Sequence, residues 1–420
     1  MPIISYCFLL LFIAFSMLSS IKIYIGGDLN WLILLFFLIT SVTNYLISKK
    51  AIAMKIIIEK LHYLKVYKIM LLGWLLFIIG IGVAAFLNQG TGLYTIVKYL
   101  TFIFILMCLL LTPLSPTILQ KTLNLTLMVS LIPLIILILS RQSDAIVILG
   151  DGRMGWVASW PGVIWKIGAI VWPFALWQCL KKAAPFNVLL AFCSILIIAI
   201  DGSRTAIIWF AFIWVFLTGI SIFTKTHTKP LLTHFSLLII TFITFSLIQP
   251  LLLGWVLGQY DPSINGLLNE TQTINIPEEK TVDRLFKGDT STRLQMLNIG
   301  WQQTLNSFPW GNGFGNTRTD DFGVSSVIHM TYLQLLADTG IISLVGYLLF
   351  LLAPLYYGFK FLTEKPELFV ERFELILSPL SILILFLFMG LFHPISNELT
   401  EWTIVLTAIS VLINHVPRYN

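Results

Sequence analysis

The sequence predicts an all-α integral membrane protein, and its composition and its apolar stretches are the two observations behind that prediction. Of the 420 residues, 57% are hydrophobic and 11% are charged, whereas soluble globular domains carry about 25% charged residues. About 12 apolar stretches approach the length of roughly 20 residues with which an α-helix crosses a bilayer. We therefore predict a polytopic bundle of about 12 transmembrane helices. The same composition excludes a soluble enzyme that faces water on every side.

The predicted helices follow one another along the chain, with one long interruption. Several contain proline or glycine or are short, so one or two are expected to be half-spans. They run over residues 3–22, 30–48, 69–88, 96–113, 123–140, 162–180, 186–200, 204–223, 231–257, 331–357, 373–393 and 401–416. The first stretch lacks a basic leader and a small-residue cleavage pattern, so we expect a retained helix. Residues 1–257 then hold the first nine helices, residues 258–328 form a loop, and residues 329–420 hold the last three.

The distribution of lysine and arginine predicts that both termini face the cytoplasm. With the amino terminus placed there, more than half of the 26 lysines and arginines fall on the cytoplasmic side, as the positive-inside rule requires. The net charge of +6 therefore reports orientation rather than a nucleic-acid partner. The loop 258–328 then lies outside, where it is the one segment able to form a water-facing structure of its own.

The outer loop is more acidic than basic, so any phosphate recognition in it must come from individual arginines rather than from bulk charge. Thr290 or Ser291 can cap a helix that continues through Arg293 to about residue 306. Apolar residues at helical spacing form one side of this helix: Leu294, Leu297, Trp301 and Leu305. This pattern predicts an interfacial helix whose apolar side lies on the membrane or on the bundle, with Arg293 on a different side.

A glycine-rich turn follows this helix, with Pro309, Gly311, Gly313 and Gly315. Backbone amides in such a turn can bind an anion, but these turns also simply connect two elements. The sequence leaves both interpretations open.

Arg204 is the first candidate for chemistry, and it lies in the short outer link 201–206. A charge at this position is costly unless the side chain reaches the interface. Asp201, three residues earlier, is a possible structural partner. Arg204 is therefore either a functional cation or one half of a structural ion pair.

His329 is the second candidate, because it opens the predicted span that follows the long loop. About three helical turns separate it from Gly340, which predicts that the two residues lie on one helical stripe. The helix macrodipole keeps an imidazole at this end neutral and able to accept a proton from a hydroxyl. A lone interfacial histidine is also often structural. His393 and Glu398, in the last outer loop, are backups for the proton-accepting role.

The sequence predicts neither a metal site nor a cofactor. Asp320 and Asp321 are adjacent, without the spaced carboxylates of a metal site, and the histidines are scattered. No Walker loop, dinucleotide fingerprint or nucleophile elbow is present in the sequence, which argues against ATP hydrolysis, nicotinamide chemistry and serine hydrolysis.

The segment from about residue 150 to 350 resembles the O-antigen ligase and polymerase family. Three motifs carry the resemblance: Asp-Gly-Ser-Arg-Thr-Ala at 201–206, the run from Arg293 through Trp301 to Gly313, and His329 placed eleven residues before Gly340. The order of the motifs, the topology and the large outer loop before the histidine agree with this family.

The resemblance implies a GT-C-like glycosyltransferase of the bacterial inner membrane that acts on the periplasmic face. Such enzymes use an undecaprenyl-diphosphate-linked glycan as donor, and the ligases attach the glycan to a sugar hydroxyl of the lipid A core. Carried over, His329 is the general base, and Arg204 and Arg293 bind the donor diphosphate and stabilise the leaving group. Arg153 and Arg141, in the predicted outer loop before residue 162, can join these arginines around the diphosphate or equally be solvated, and Arg284 is a further candidate for substrate binding. The reaction is expected to be inverting and independent of metal, with the donor, the acceptor and membrane lipids as partners and no nucleic acid.

Two features depart from the ligase pattern. Met330 follows the histidine where ligases usually have Asn, Ser or Gln, and the Gly-x-x-Gly that often follows ends in Ser343. A sister polymerase, which joins repeat units on the same carrier, therefore remains an alternative. The alternative from another class is a flippase or other transporter of lipid-linked glycan, which is expected to place charged residues near the middle of its spans.

Overall fold

A computed structural model describes most of the chain from residue 65 onward. The described residues are 35–36, 39–40, 43, 65–88, 92–111, 114–148, 153–182, 184–224, 230–257, 291–321, 324–395 and 399–415.

The described part of the chain is almost entirely helical. In chain order its α-helices are α1 (Lys65–Asn88), α2 (Gly92–Leu111), α3 (Pro116–Leu139), α4 (Trp165–Lys181), α5 (Pro185–Asp201), α6 (Arg204–Thr224), α7 (Pro230–Ile243), α8 (Gln249–Val256), α9 (Ser291–Ser307), α10 (Thr331–Thr363), α11 (Phe369–Met389) and α12 (Leu399–His415). Its strands form two antiparallel hairpins, β1 (Ile146–Ile148) with β2 (Met154–Trp156) and β3 (Arg318–Asp321) with β4 (Val324–Val327).

The structure confirms an all-α membrane protein. Among the described residues, six helices are long and apolar enough to cross a membrane, and three shorter apolar helices accompany them. Every predicted stretch from 69–88 onward falls on a described helix. The stretch 3–22 lies outside the described residues, and only scattered helical positions between 35 and 43 represent the stretch 30–48. The total of about 12 spans and the placement of both termini therefore stay predictions.

The chain separates into two compact units. The first contains the described parts of Leu34–Pro116 and Asp289–Asn420, and the second contains those of Thr117–Gly288. The predicted division at residues 257 and 328 follows chain order alone and stays a prediction.

In the first unit, α1 and α10 cross at short distance because small residues face each other. A Cβ atom added to Gly80 would lie 2.6 Å from the Ser343 Cβ, and one added to Gly73 would lie 2.8 Å from the Gly346 carbonyl oxygen. The Ser343 hydroxyl donates a hydrogen bond of 3.1 Å to the Phe77 carbonyl of α1. Close backbone approach supplies the van der Waals packing that associates helices in lipid. Ser343, which ends the Gly-x-x-Ser segment, is therefore small enough to fit at the crossing of α1 and α10.

An aromatic core around Trp402 of α12 completes the first unit. The Trp402 ring stacks on Phe102 of α2 with the centroids 5.4 Å apart, and it meets Trp74 of α1 edge-on at 5.7 Å. Tyr347 of α10 also meets it edge-on, at 6.2 Å. All four side chains are buried, and such geometry adds to the energy of burial itself. The core therefore holds α1, α2, α10 and α12 together.

In the second unit, α4 lies close to both α5 and α6. A Cβ atom on Gly168 of α4 would lie 2.9 Å from the Ser194 carbonyl oxygen of α5. The Trp209 indole N–H of α6 donates a hydrogen bond of 2.9 Å to the Ala169 carbonyl. These contacts fix the geometry of the α5–α6 corner, which carries Arg204.

A π-helical turn, Thr244–Ile248, joins α7 to α8 in the second unit. It immediately precedes Gln249 and Pro250, and the Gln249 N–H donates to the Thr244 carbonyl five residues earlier. Proline has no N–H, and its ring crowds the carbonyl four residues earlier in an α-helix. The wider turn relieves that crowding and keeps α7 and α8 continuous.

Candidate functional site

The corner between α5 and α6 places Arg204 at the start of a membrane-length helix. α5 ends at Asp201, and Gly202 adopts a φ of 66°, a left-handed conformation that glycine takes without strain. The chain enters the next helix at once, because the Ile207 N–H donates to the Ser203 carbonyl at 3.1 Å. Arg204 is consequently the first residue of α6.

The ion-pair partner of Asp201 is Arg153 rather than Arg204. Arg153 Nη2 lies 2.8 Å from Asp201 Oδ1, and Arg153 Nε donates to the Asp201 main-chain oxygen at 3.1 Å. The Gly162 N–H donates to the second carboxylate oxygen at 2.5 Å. The Asp201 side chain is fully buried, whereas that of Arg153 is 20% exposed. The pair fastens the segment before α4 to the α5–α6 corner.

Two nitrogens of the Arg153 guanidinium are therefore committed to the protein. Its predicted contact with a substrate stays a prediction, and any such contact would have to use the exposed remainder of the group. Asp201 is equally committed, which removes the structural partner that the sequence offered for Arg204.

Arg141, in the same unit, lies against an aromatic ring. It follows α3 with a φ of 53°, which is uncommon for a residue with a side chain. Its guanidinium carbon lies 3.8 Å from the ring centroid of Trp255 in α8, a cation–π contact. This contact holds the connection after α3 against α8, and the predicted role of Arg141 in substrate binding stays a prediction.

Arg204 has a different environment from these two arginines. Its side chain is partly buried, and no described residue forms a hydrogen bond or ion pair with it. It lies at the positive end of a 21-residue helix, where the macrodipole disfavours a cation and favours an anion. Forked guanidinium donors beside first-turn N–H groups suit a phosphate. The position is thus unfavourable for the arginine alone and favourable with an anion bound.

His329, in the first unit, lies between the β3–β4 hairpin and α10. The preceding Ile328 is fully buried and fills the space beside Gly300 of α9, where a Cβ atom would overlap it. The Thr331 N–H donates to the Gly390 carbonyl at 2.8 Å. His329 is thereby fixed on both sides while its own side chain is partly exposed.

The prediction that His329 and Gly340 share a helical stripe is wrong. Met330 is extended, with φ −154° and ψ 106°, so α10 begins only at Thr331. Gly340 interrupts the helix with φ 76° and ψ −179°. The eleven-residue spacing therefore covers a short helical segment, 331–339, between the extended Met330 and the non-helical Gly340. His329 still lies just before a helix amino terminus, as the argument for a neutral imidazole requires.

His393 is brought to the same place as His329 by the first turn of α10. The Thr331 hydroxyl donates to the His393 main-chain oxygen at 2.9 Å, and the His393 side chain is partly exposed. The sequence separation between the two histidines concealed this proximity of their backbones. Glu398, the other backup, lies outside the described residues.

The glycine-rich turn uses its amides inside the protein. The Gly315 and Thr317 N–H groups donate to the two carboxylate oxygens of Asp338, each at 2.9 Å. The Gly313 N–H donates to the Asp338 main-chain oxygen at 2.8 Å. The Asp338 side chain is itself buried in α10. The amides of the turn do bind an anion, but that anion is the protein's own Asp338 carboxylate. Of the two interpretations of the turn, a connection between two elements therefore fits these amides.

Gln334 extends this arrangement by one helical turn. Its amide nitrogen lies 3.4 Å from Asp338 Oδ2, and its amide oxygen accepts the Ile395 N–H at 2.9 Å. Sequence analysis missed both residues. A signal was available, because Asp338 is a single acid inside an apolar stretch, and such a residue requires partners.

Arg293 and Arg284 are the remaining predicted arginines. Arg293 is the third residue of α9, the helix whose Gly300 receives Ile328, so its helix packs directly beside the residue before His329. Arg284 lies outside the described residues. Within the described ranges, no group of three His, Cys, Asp or Glu side chains is arranged to hold a metal ion. The independence from metal stays a prediction.

The predicted helix through Arg293 is present as α9, Ser291–Ser307, and the side on which Arg293 lies stays a prediction. Leu294, Trp301 and Leu305 are exposed and Leu297 is half-buried, whereas Gly300 and Thr304, about 100° around the helix from Trp301 and Leu305, are buried. The apolar side is therefore largely exposed, and its contact with the membrane or the bundle stays a prediction.

No protein-family model matches the chain, and no curated protein matches it.

Proposed function

We propose that the protein is an inner-membrane glycosyltransferase of the O-antigen ligase type. In this proposal it transfers a glycan from an undecaprenyl-diphosphate donor to a sugar hydroxyl of the lipid A core on the periplasmic face. The observation that carries the proposal is the state of Arg204, which begins an apolar helix without a described counter-ion while the neighbouring Asp201 is occupied by Arg153. A cation kept in that position is suited to a diphosphate.

His329 supplies the base in the proposed reaction. The neutral imidazole accepts the proton of the acceptor hydroxyl as its oxygen attacks the anomeric carbon. The bond between that carbon and the phosphate oxygen breaks, and its electron pair leaves with the diphosphate. A single displacement of this kind inverts the anomeric configuration and forms no covalent intermediate.

Arg204 and Arg293 stabilise the leaving group. Negative charge accumulates on the bridging oxygen as the bond breaks, and fixed donors aimed at that charge lower the barrier. A guanidinium remains charged at every relevant pH and presents two parallel N–H groups to a phosphate. The role requires no metal ion.

The test is transfer by purified protein from a lipid-diphosphate-linked glycan to lipid A core, without ATP or an ion gradient. His329→Ala is expected to abolish transfer and to leave donor binding intact. Arg204→Ala should lower the rate by about 10²-fold or more, the usual cost of one transition-state donor. Arg204→Lys should recover part of the loss, because the charge remains and the forked geometry does not.

Lys360→Ala provides the control, since Lys360 is exposed near the far end of α10. Its rate should equal that of the wild type. Wild-type protein that forms no product contradicts the proposal, and so does an Arg204→Ala variant that performs like Lys360→Ala. Normal transfer by His329→Ala contradicts the assignment of the base alone.

A polymerase would share these residues, and a deletion strain separates the two activities. Loss of a ligase leaves long polymer on the lipid carrier, whereas loss of a polymerase leaves single repeat units attached to the core. Gel electrophoresis of lipopolysaccharide distinguishes the two outcomes.

One observation favours the transporter alternative. Asp338 lies inside the apolar helix α10, which is interrupted at Gly340, and broken helices with buried charges are typical of transporters. The carboxylate, however, is satisfied by the Gly315 and Thr317 N–H groups, which indicates a structural rather than a transporting role. A transporter would yield no glycosylated product in the purified assay.

A further inference from the structure

The position of His329 depends on the β3–β4 hairpin that precedes it. The end of this hairpin that lies next to His329 is held by other contacts in addition to β-pairing. The turn that ends at Thr317 continues directly into β3, and Arg318 at the start of β3 pairs with Val327 at the end of β4. Ile328 and His329 follow immediately. Because β-pairing sets the separation of opposite residues, movement of Thr317 displaces the residues that lead into His329.

Asp338 is the group that holds Thr317. Its buried carboxylate accepts the Thr317 N–H with one oxygen and the Gly315 N–H with the other. The backbone geometry around it leaves no spare room, since a Cβ atom on Gly311 would lie 2.6 Å from the Asp338 carbonyl oxygen. The turn is consequently fixed to α10 through this one side chain and the adjoining backbone.

Gln334 fixes the other flank of His329. Through its amide oxygen it holds the Ile395 N–H, in the same segment whose Gly390 and His393 carbonyls accept hydrogen bonds from Thr331. Gln334 and Asp338 are in contact one turn apart on α10. The two segments that border His329 are therefore fastened to one pair of neighbouring side chains.

We propose that Asp338, supported by Gln334, is a positioning residue that fixes the imidazole of His329 in its reactive place. Neither side chain is assigned any contact with donor or acceptor. The inference rests on the proposed function, because it gives His329 a reaction for which placement matters. A displacement of about 1 Å in a catalytic group can cost on the order of 10²-fold in rate.

Asp338→Asn tests the inference with almost no change in shape. The amide keeps one accepting oxygen, while its nitrogen is a donor, so one of the two loop N–H groups loses its acceptor. We expect kcat to fall by about 10- to 100-fold and KM for the lipid-linked donor to change little. Hydrogen exchange should accelerate over residues 318–329 and remain unchanged over 341–363.

Asn88→Ala is the matched control. The Asn88 side chain donates to the Gly311 carbonyl at 3.0 Å, so its removal deletes a hydrogen bond to the same turn without touching Gly315 or Thr317. Its kcat should stay within about twofold of the wild type. A purely structural role for Asp338 would lower the yield of folded protein in proportion and leave kcat per folded molecule unchanged.

Gln334→Met keeps the test decisive if Asp338→Asn does not fold. It removes the acceptor of the Ile395 N–H and leaves both loop N–H groups on Asp338, so exchange should accelerate over 389–395 and kcat should fall. Wild-type kcat in the folded variants overturns the inference. If the wild-type protein shows no transfer, the proposed function is wrong, whatever the role of Asp338. In that case hydrogen exchange alone tests the positioning role, and unchanged exchange over 318–329 in Asp338→Asn overturns it.

Discussion

The Arg153–Asp201 ion pair offers the sharpest test of how the second unit is built. Asp201 is fully buried and Arg153 is 20% exposed. Arg153→Met removes the 2.8 Å charged hydrogen bond and the 3.1 Å bond to the main chain, leaving a buried carboxylate without its counter-ion. Removing one partner of a buried pair costs about 3–5 kcal/mol. Because Arg153 is partly solvated, we expect about 3 kcal/mol of unfolding free energy to be lost.

A double-mutant cycle measures the interaction directly. Asp201→Asn should cost about 1–3 kcal/mol, because Arg153 keeps the main-chain oxygen and its access to solvent. The two changes should couple by about 1–3 kcal/mol. Unfolding in detergent followed by tryptophan fluorescence provides the free energies, with Lys121→Met, an exposed cation of the same unit, as the control that should change stability by less than about 0.5 kcal/mol. A coupling near zero, or an Arg153→Met variant as stable as the control, would refute the structural role of the pair.

Two further predictions concern the first unit. Ser343→Ala should cost only about 1 kcal/mol, for the lost hydrogen bond to the Phe77 carbonyl, whereas Ser343→Leu should cost about 3 kcal/mol or prevent folding, because the Ser343 Cβ faces Gly80 at the crossing of α1 and α10. Equal thermal midpoints for the two variants would contradict the close crossing. A nitroxide attached at position 305 of α9 should show strong collisional relaxation by oxygen dissolved in lipid, whereas one at the neighbouring Thr304 should not, since Leu305 is 55% exposed and Thr304 is 3% exposed. Relaxation of both labels by a water-soluble reagent instead would show that water covers the exposed side of α9.

Most of the helical architecture could be predicted from the chain alone. A run of apolar residues long enough to cross a bilayer must satisfy its backbone hydrogen bonds internally, so it forms a helix wherever its neighbours lie. The helix Ser291–Ser307 was equally predictable, because a candidate cap at Thr290 or Ser291 and the spacing of Leu294, Trp301 and Leu305 are local properties of the sequence. The break at Gly340 was not predictable in this way, since it depends on the turn that packs against it.

The candidate site was likewise predictable only in part. Sequence identified Arg204 and His329 as polar residues at the ends of apolar stretches, because hydropathy is read one residue at a time. It could not assign their neighbours. Asp201 lies three residues from Arg204 and 48 residues from Arg153, yet its carboxylate bonds Arg153.

The amino-acid order by itself thus determined that this is a helical membrane protein and which ionisable side chains lie at the ends of its apolar segments. Only the tertiary structure decided which of those side chains are paired. In the folded protein Arg153 pairs with Asp201, and the amides of the glycine-rich turn donate to the carboxylate of Asp338. Arg204 has no partner among the described residues. The physical reason is that a helix follows from local hydrogen bonding and the hydrophobicity of successive residues, whereas an ion pair or a buried carboxylate depends on distances of a few ångströms between segments remote in the chain.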